Sequence, residues 1–210
     1  MAFNTGRTAT YVKDRYNLPP QDINADTIKG EVLYYFRYNR MHVDMCCTEF
    51  SDPYESSIED IVVREMRNET DTIYHVIEVK ISETDFKSEF WHKKNKHIDR
   101  GDGRFYDYFY FAVPLELYTI VNEHCEIDML PYGIITVSLD DKKQLHTELK
   151  RRPEKLTRKE NINEDTVNTA LLKRMSSEVA STRCDIYKLK YGLAEVKRQI
   201  YYLSQSIHTS

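Results

Sequence analysis

No apolar run in these 210 residues approaches the roughly 20 that a membrane-spanning helix needs. The opening residues, Met1 to Arg7, lack the apolar core of a secretion signal, so no export is expected. The four cysteines form no zinc-type spacing, and the adjacent Cys46 and Cys47 would point to opposite faces of one strand. All four read as reduced thiols of a cytoplasmic protein. Internal repeats and low-complexity tracts are absent as well. The net charge of −4 excludes a polycation, so any contact with nucleic acid must come from local basic patches. What is present suits a soluble protein: 40% hydrophobic and 30% charged residues, enough for one domain with a core plus an appendage. Sixteen tyrosines fit strands and stacking surfaces.

Four segments follow from the pattern. Residues 1–23 are polar, carry Pro19-Pro20 and show no period, which reads as an arm. Residues 24–150 hold the candidate core. There, Asn24 or Asp26 can cap a helix whose apolar face is Ile28, Val32, Tyr35 and Phe36, with Glu31 among them. Strands are expected from Met41 to Phe50, from Ile58 to Met66 and from Ile73 to Ser82, joined by turn chemistry. A helix from Asp85 to His97, a strand from Tyr106 to Val113, a short helix from Leu115 to Glu123 and a strand from Tyr132 to Val137 follow, with Gln144 to Lys150 pairing back. Residues 151–162 are a basic linker, and residues 163–210 read as wholly helical.

The third strand carries the chemistry. Its alternation puts Ile77, Val79 and Ile81 on one side and Glu78, Lys80 and Ser82 on the other. A carboxylate and an ammonium then stand about 7 Å apart on one face, at roughly 3.3 Å per residue. So apolar a strand carries two charges when they face water, neutralise each other or do chemistry. Lys87, Lys93, Lys94, Lys96 and Arg100, interleaved with Phe86, Phe90 and Trp91, suggest a phosphate-facing surface just beyond it. Arg151 and Arg152 in the linker are further candidates, with Lys155 and Arg158 behind them.

At the other end of the chain, Ile186, Leu189, Leu193, Val196, Ile200, Leu203 and Ile207 recur at alternating spacings of three and four. Thr182, Val179, Met175 and Leu172 extend the register backwards. Such a seam suggests a coiled coil, and Ile186, Leu193 and Ile200 at one position with Leu189 and Leu203 at the other favour a parallel pair, with a second copy of the chain as the expected partner across residues 163–207. The competing arrangement is a hairpin broken at Ser181-Thr182, packed within one chain or onto the core.

Helix, strand, strand with Asp60, strand with Glu78-Val79-Lys80, helix, strand: this order resembles the core of the PD-(D/E)XK nuclease superfamily, whose signature is an Asp followed by an (Asp/Glu)-x-Lys strand. The runs from Glu78 to Phe86, from Phe109 to Pro114 and from Leu130 to Ile135 are similar to its MmcB-like branch, linked to DNA repair or encoded by phages. The resemblance covers about residues 28–155. It implies an α/β, restriction-endonuclease-like fold with a mixed central sheet flanked by helices, followed here by a long C-terminal helix or hairpin. It also implies a metal-dependent DNA hydrolase of the cytoplasm, a bacterial host's cytoplasm if phage-encoded. Asp60 and Glu78 would hold Mg²⁺ (or Mn²⁺), with the Val79 carbonyl as a third ligand and Glu31 as an extra first-helix acid. Lys80 would position or deprotonate the attacking water, or stabilise the charged transition state. Ser57-Ile58-Glu59 stands where the family has Pro before its Asp, which leaves Glu59 as a rival to Asp60. Asp85 matches an acid of the branch and is also placed to cap a helix. The alternative is a catalytically silent module of the same fold that binds nucleic acid or a protein.

Overall fold

The computed structural model describes residues 22–39, 42–55, 57–68, 71–92 and 105–208. Helix α1 (Ala25–Tyr34) begins with a reciprocal cap: the Thr27 N–H donates to the Asn24 side chain, and the Asn24 N–H donates to the Thr27 hydroxyl. Ile28, Val32 and, in the π-helical turn that follows (Tyr35–Asn39), Phe36 form one fully buried stripe. Of the two capping residues the sequence offers, Asn24 is the one used.

Six strands make one mixed sheet in chain order: β1 (Val43–Ser51), β2 (Ile58–Asn68), β3 (Asp71–Val79), β4 (Tyr108–Pro114), β5 (Gly133–Leu139) and β6 (Leu145–Arg151). β1, β2 and β3 pair antiparallel, β3, β4 and β5 parallel, and β6 returns antiparallel along β5. The parallel connections are made by α2 (Glu83–His92) and by a 3₁₀ turn (Leu115–Leu117) running into α3 (Tyr118–Ile127). On one face, the α1 stripe packs on Ile61, Val63, Ile77, Tyr110, Ala112 and Ile135. On the other, Phe86 of α2, Val121 and Cys125 of α3 and Val167 and Leu171 of the last helix, α4 (Glu164–His208), cover Val62, Tyr74, Val76, Phe109 and Phe111. β3 is therefore interior and buried on both faces, as its continuous apolar run predicts.

Several elements differ from the expectation in detail. β3 stops at Val79; Lys80 still donates its N–H to the Ala112 carbonyl at 3.0 Å, but Ile81 has left the sheet and is exposed rather than sharing the face of Ile77 and Val79. α2 starts at Glu83, not Asp85, because the Ser82 hydroxyl accepts the Asp85 N–H at 3.1 Å and caps the first turn. α4 is one unbroken helix, so no hairpin forms at Ser181-Thr182. Its first turns belong to the main core, so a cut after residue 160 would remove Val167 and Leu171 from it. The arm over residues 1–21 and the segment 93–104 lie outside the described residues. Among the described residues, no helix is long and apolar enough to cross a membrane.

The basic linker is tied down by charge. Arg158 stacks 5.0 Å over the Tyr74 ring and pairs with the buried Asp107 at 2.6 Å and with Glu164 at 2.7 Å. Asp107 in turn accepts the Tyr74 N–H at 2.9 Å. At the α1 face, His75 lies between Glu65 (3.1 Å) and the Tyr110 hydroxyl (3.2 Å). His75, with Arg67, holds the Glu65 carboxyl down at about 2 against the opposing effect of burial.

Gly133 pairs with Tyr110 across the β4–β5 ladder, and a Cβ there would come within 2.4 Å of the tyrosine ring and 3.0 Å of Pro153. Both neighbours are held, Tyr110 by His75 and Pro153 by its ring. Gly133→Ala should destabilise the fold by about 1–3 kcal/mol, the usual cost of an overpacked core. Urea unfolding of the two proteins measures this, and an unchanged midpoint would refute it.

Candidate active site

The candidate residues gather where β2 and β3 end their shared ladder. Ile61 pairs with Ile77 in that ladder, and one residue further on the Asp60 side chain takes over from the backbone: its Oδ2 accepts the Val79 N–H at 2.9 Å. Its Oδ1 lies 3.0 Å from the ammonium of Lys29, which reaches across from α1 and also bonds Glu49. Asp60 is thus fixed against the middle residue of Glu78-Val79-Lys80. Glu59, the rival acid, is fully buried and accepts the Ser57 hydroxyl at 3.0 Å instead.

Glu78 and Lys80 share a face, as strand alternation requires, and their charged atoms stand 3.6 Å apart. They do not form a solvated surface: both residues are buried. The Lys80 ammonium also lies 2.8 Å from Glu89 and 3.9 Å from Asp85, both on α2. Asp85 accepts the Ile81 N–H at 3.2 Å, which secures the turn between strand and helix. Three carboxylates therefore surround one buried ammonium.

Electrostatics follow from this arrangement. Burial pushes the Asp60 carboxyl above the usual range and the charge of Glu78 adds to it; the Val79 N–H and Lys29 pull it back without cancelling the rise. Burial works against the charge on Lys80, but its hydrogen bond to Glu89 and the charges of Glu89, Glu78 and Asp85 outweigh that and hold the ammonium above its ordinary pKa. Lys80 is therefore a cation at neutral pH. Its charge is thus matched within the fold, an arrangement that suits a fixed positive charge.

Asp60, Glu78 and the Val79 carbonyl supply hard oxygen donors. Their chemistry suits Mg²⁺, which binds through one or two carboxylates and keeps several waters. Two carboxylates that raise one another's cost of ionisation also favour a cation between them. Among the described residues, no group of three or more His, Cys, Asp or Glu side chains is placed to hold a metal. Glu31 is buried on α1, and Lys29 of the same helix reaches Asp60.

Lys29 and Glu89 are the two site residues that sequence reasoning missed. Glu89 carried a signal, since it lies between Phe86 and Phe90 on the apolar side of α2, where a carboxylate needs a partner. Lys29 carried none, because its contact depends on how α1 crosses the sheet. The candidate phosphate contacts fare unequally. Lys87 is exposed and pairs with Glu83. Lys93, Lys94, Lys96 and Arg100 lie outside the described residues. Arg151 is half-buried and donates to the Leu130 carbonyl at 2.9 Å, whereas Arg152 is exposed. Arg158 is committed to Asp107 and Glu164, and Lys155 stands 3.6 Å from Asp107.

No family model and no curated protein matches the chain. Among solved structures it is similar to the SPO1766 protein of unknown function from Silicibacter pomeroyi, at 15% identity and a TM-score of 0.48, over 77% of this chain and 90% of that one.

The coupling between the two acids can be measured directly. Because the Asp60 pKa is raised in the folded state, its contribution to stability is present in acid and lost as pH rises through the folded value. Glu78→Gln should move the Asp60 pKa, followed by NMR titration, down toward its ordinary 3.8, and Lys29→Met should move it up. An Asp60 titration indifferent to both changes would refute the coupling.

Proposed function

We propose that this protein is a divalent-metal-dependent nuclease of the PD-(D/E)XK type that hydrolyses DNA phosphodiester bonds in the cytoplasm. We also propose that it works as a homodimer joined through its C-terminal helix. DNA repair or phage metabolism is the setting that the resemblance suggests. The observation that carries the reading is the Asp60–Val79 hydrogen bond, which fixes the one acid against the Glu78-Val79-Lys80 segment at the end of two interior strands.

Asp60, Glu78 and the Val79 carbonyl would hold Mg²⁺ or Mn²⁺. Such an ion reduces the repulsion between an anionic nucleophile and an anionic phosphate and lowers the pKa of bound water. The rest falls to the chain's own residues. Glu78 and Asp60 present oxygen donors on adjacent strands. Lys80, kept charged by Glu89, places an ammonium where negative charge grows on the phosphate. Glu89 positions Lys80 and is spaced away from the substrate by it. Lys87 and Arg152, both exposed, with Lys93, Lys94, Lys96 and Arg100, would meet neighbouring phosphates.

One observation favours a second reading, a silent module of the same fold. Both Asp60 oxygens are engaged, by the Val79 N–H and by Lys29, so a cation of the protein itself already answers that charge. A metal must then compete with Lys29.

The deciding assay incubates the purified protein with single- and double-stranded DNA and with RNA, in Mg²⁺, Mn²⁺ or EDTA. Cleavage is expected with metal and none with EDTA. Asp60→Asn and Glu78→Gln should abolish both cleavage and metal binding, while Lys80→Ala should lower the rate on the order of 10²–10³-fold and leave metal binding intact. Glu89→Gln should shift the alkaline limb of the pH–rate profile to lower pH, since Glu89 helps hold the Lys80 ammonium. DNA affinity should fall steeply with salt, as expected of a few Lys/Arg–phosphate contacts on a protein of net charge −4. No cleavage on any substrate, with no metal binding by calorimetry, would establish the silent module instead.

A further inference from the structure

We infer that two copies of this chain pair as a parallel, in-register coiled coil over residues 179–200 of α4, with both sheets at the same end. This rests on the homodimer reading above and narrows it to a segment and an orientation. α4 runs unbroken for 45 residues, about 68 Å at 1.5 Å per residue. Its first turns are occupied by its own domain. Val167 and Leu171 are buried there, Arg174 donates to the Thr48 carbonyl at 2.7 Å, and Glu178 accepts the Thr48 N–H at 2.7 Å. Beyond Glu178 the helix leaves the sheet. Val179, Ile186, Leu189, Leu193, Val196 and Ile200 are then 45–73% exposed along one heptad seam. The expected interface over residues 163–207 is thus narrowed at its start, where α4 lies against its own domain through Val167 and Leu171, although Leu172 of the extended register is 50% exposed.

The occupant is a second copy because the seam matches itself. Ile186, Leu193 and Ile200 fall at one core position and Leu189 and Val196 at the other, the kind of seam that two facing helices close with knobs in holes. The flanking charges then select the direction. The residues just after one core position are Arg183, Lys190 and Lys197. Those just before the other are Asp185, Gly192 and Gln199. An antiparallel pair sets like flanks against each other, so the basic residues would face basic residues. A parallel, in-register pair sets each flank against the opposite one, and Asp185 then meets Lys190 of the second copy on both sides of the seam. Asp185 already lies 3.2 Å from Lys188 of its own helix, but both are largely exposed, and such pairs exchange at little cost.

The test uses the full chain in sedimentation equilibrium, where a dimer has twice the 25.0 kDa of the monomer. A dimer is expected at micromolar concentration. Leu189→Glu with Leu193→Glu should give a monomer whose far-UV spectrum and core melting are kept, since both side chains are exposed. Asp185→Lys alone and Lys190→Asp alone should each weaken the homodimer on the order of tenfold, because two attractions become repulsions. Mixing the two variants should restore association to the unmodified level through a heterodimer. A monomeric full chain overturns both the homodimer reading and its orientation, as does a dimer untouched by the two leucine changes for the seam. A dimer insensitive to the charge changes, or not restored by mixing, overturns the parallel arrangement and leaves the homodimer reading standing.

Discussion

An ammonium cannot be buried alone, and Lys80 is buried at the mouth of the central strands. Its charge is met by Glu89 from α2, by Glu78 from β3 and, at longer range, by Asp85. That single requirement joins strand, turn and helix. α2 must start directly after β3, which Ser82 arranges by capping it. α2 must also turn Glu89 inward beside Phe86 and Phe90, which anchor it on Phe111. Loss of that seat would leave either an unpaired buried cation or unpaired buried acids, and both are costly.

A matching requirement acts on the neighbouring strand. Asp60 sits where the β2–β3 ladder gives way, and its carboxylate accepts the Val79 N–H that would otherwise want a backbone partner. It therefore serves the sheet and the site at once. Lys29 from the opposite face supplies the compensating charge. The result is a pair of carboxylates braced by Lys29 and Lys80, with Asp60 raised in pKa by burial and by the charge of Glu78. Such tension between two acids is frequent at functional sites, and also occurs in structural ion networks. The proposed chemistry would use it, because a bound cation would relieve the repulsion between the two acids.

Away from the site, buried charge is used to hold parts of the chain together. Asp107 gathers Arg158, Lys155 and the Tyr74 N–H, and so straps the linker to the sheet before α4 begins. Glu178 and Arg174 then fasten the next turns of α4 to Thr48 of β1. Residues that read as a basic surface for phosphates, Arg151 and Arg158, are in this way drawn inward, toward the Leu130 carbonyl and Asp107. Guanidinium groups suit that task, since their fixed fork satisfies several acceptors at once.

The sequence by itself determined the elements that depend on local pattern. A capped start of α1 at Asn24 or Asp26, the doubly buried run of β3, the return of β6 along β5 and the shared face of Glu78 and Lys80 all follow from periods of two or 3.6 and from capping chemistry. The long seam of α4 was legible for the same reason. Only the tertiary structure decided which residues share a charge. Lys29 meets Asp60 because α1 crosses the sheet there, and no spacing within α1 signals it. Glu59 and Asp60 are neighbours of the same type, and only their places around the end of β2 separate a residue held by Ser57 from one held by Val79. At the first turns of α4 a different face is buried: Val167 and Leu171 lie one residue before the seam positions and pack on the sheet, while Leu172, in register with the seam, is 50% exposed. β1 happens to lie under that face, and burial is a property of what a face meets, not of the face alone.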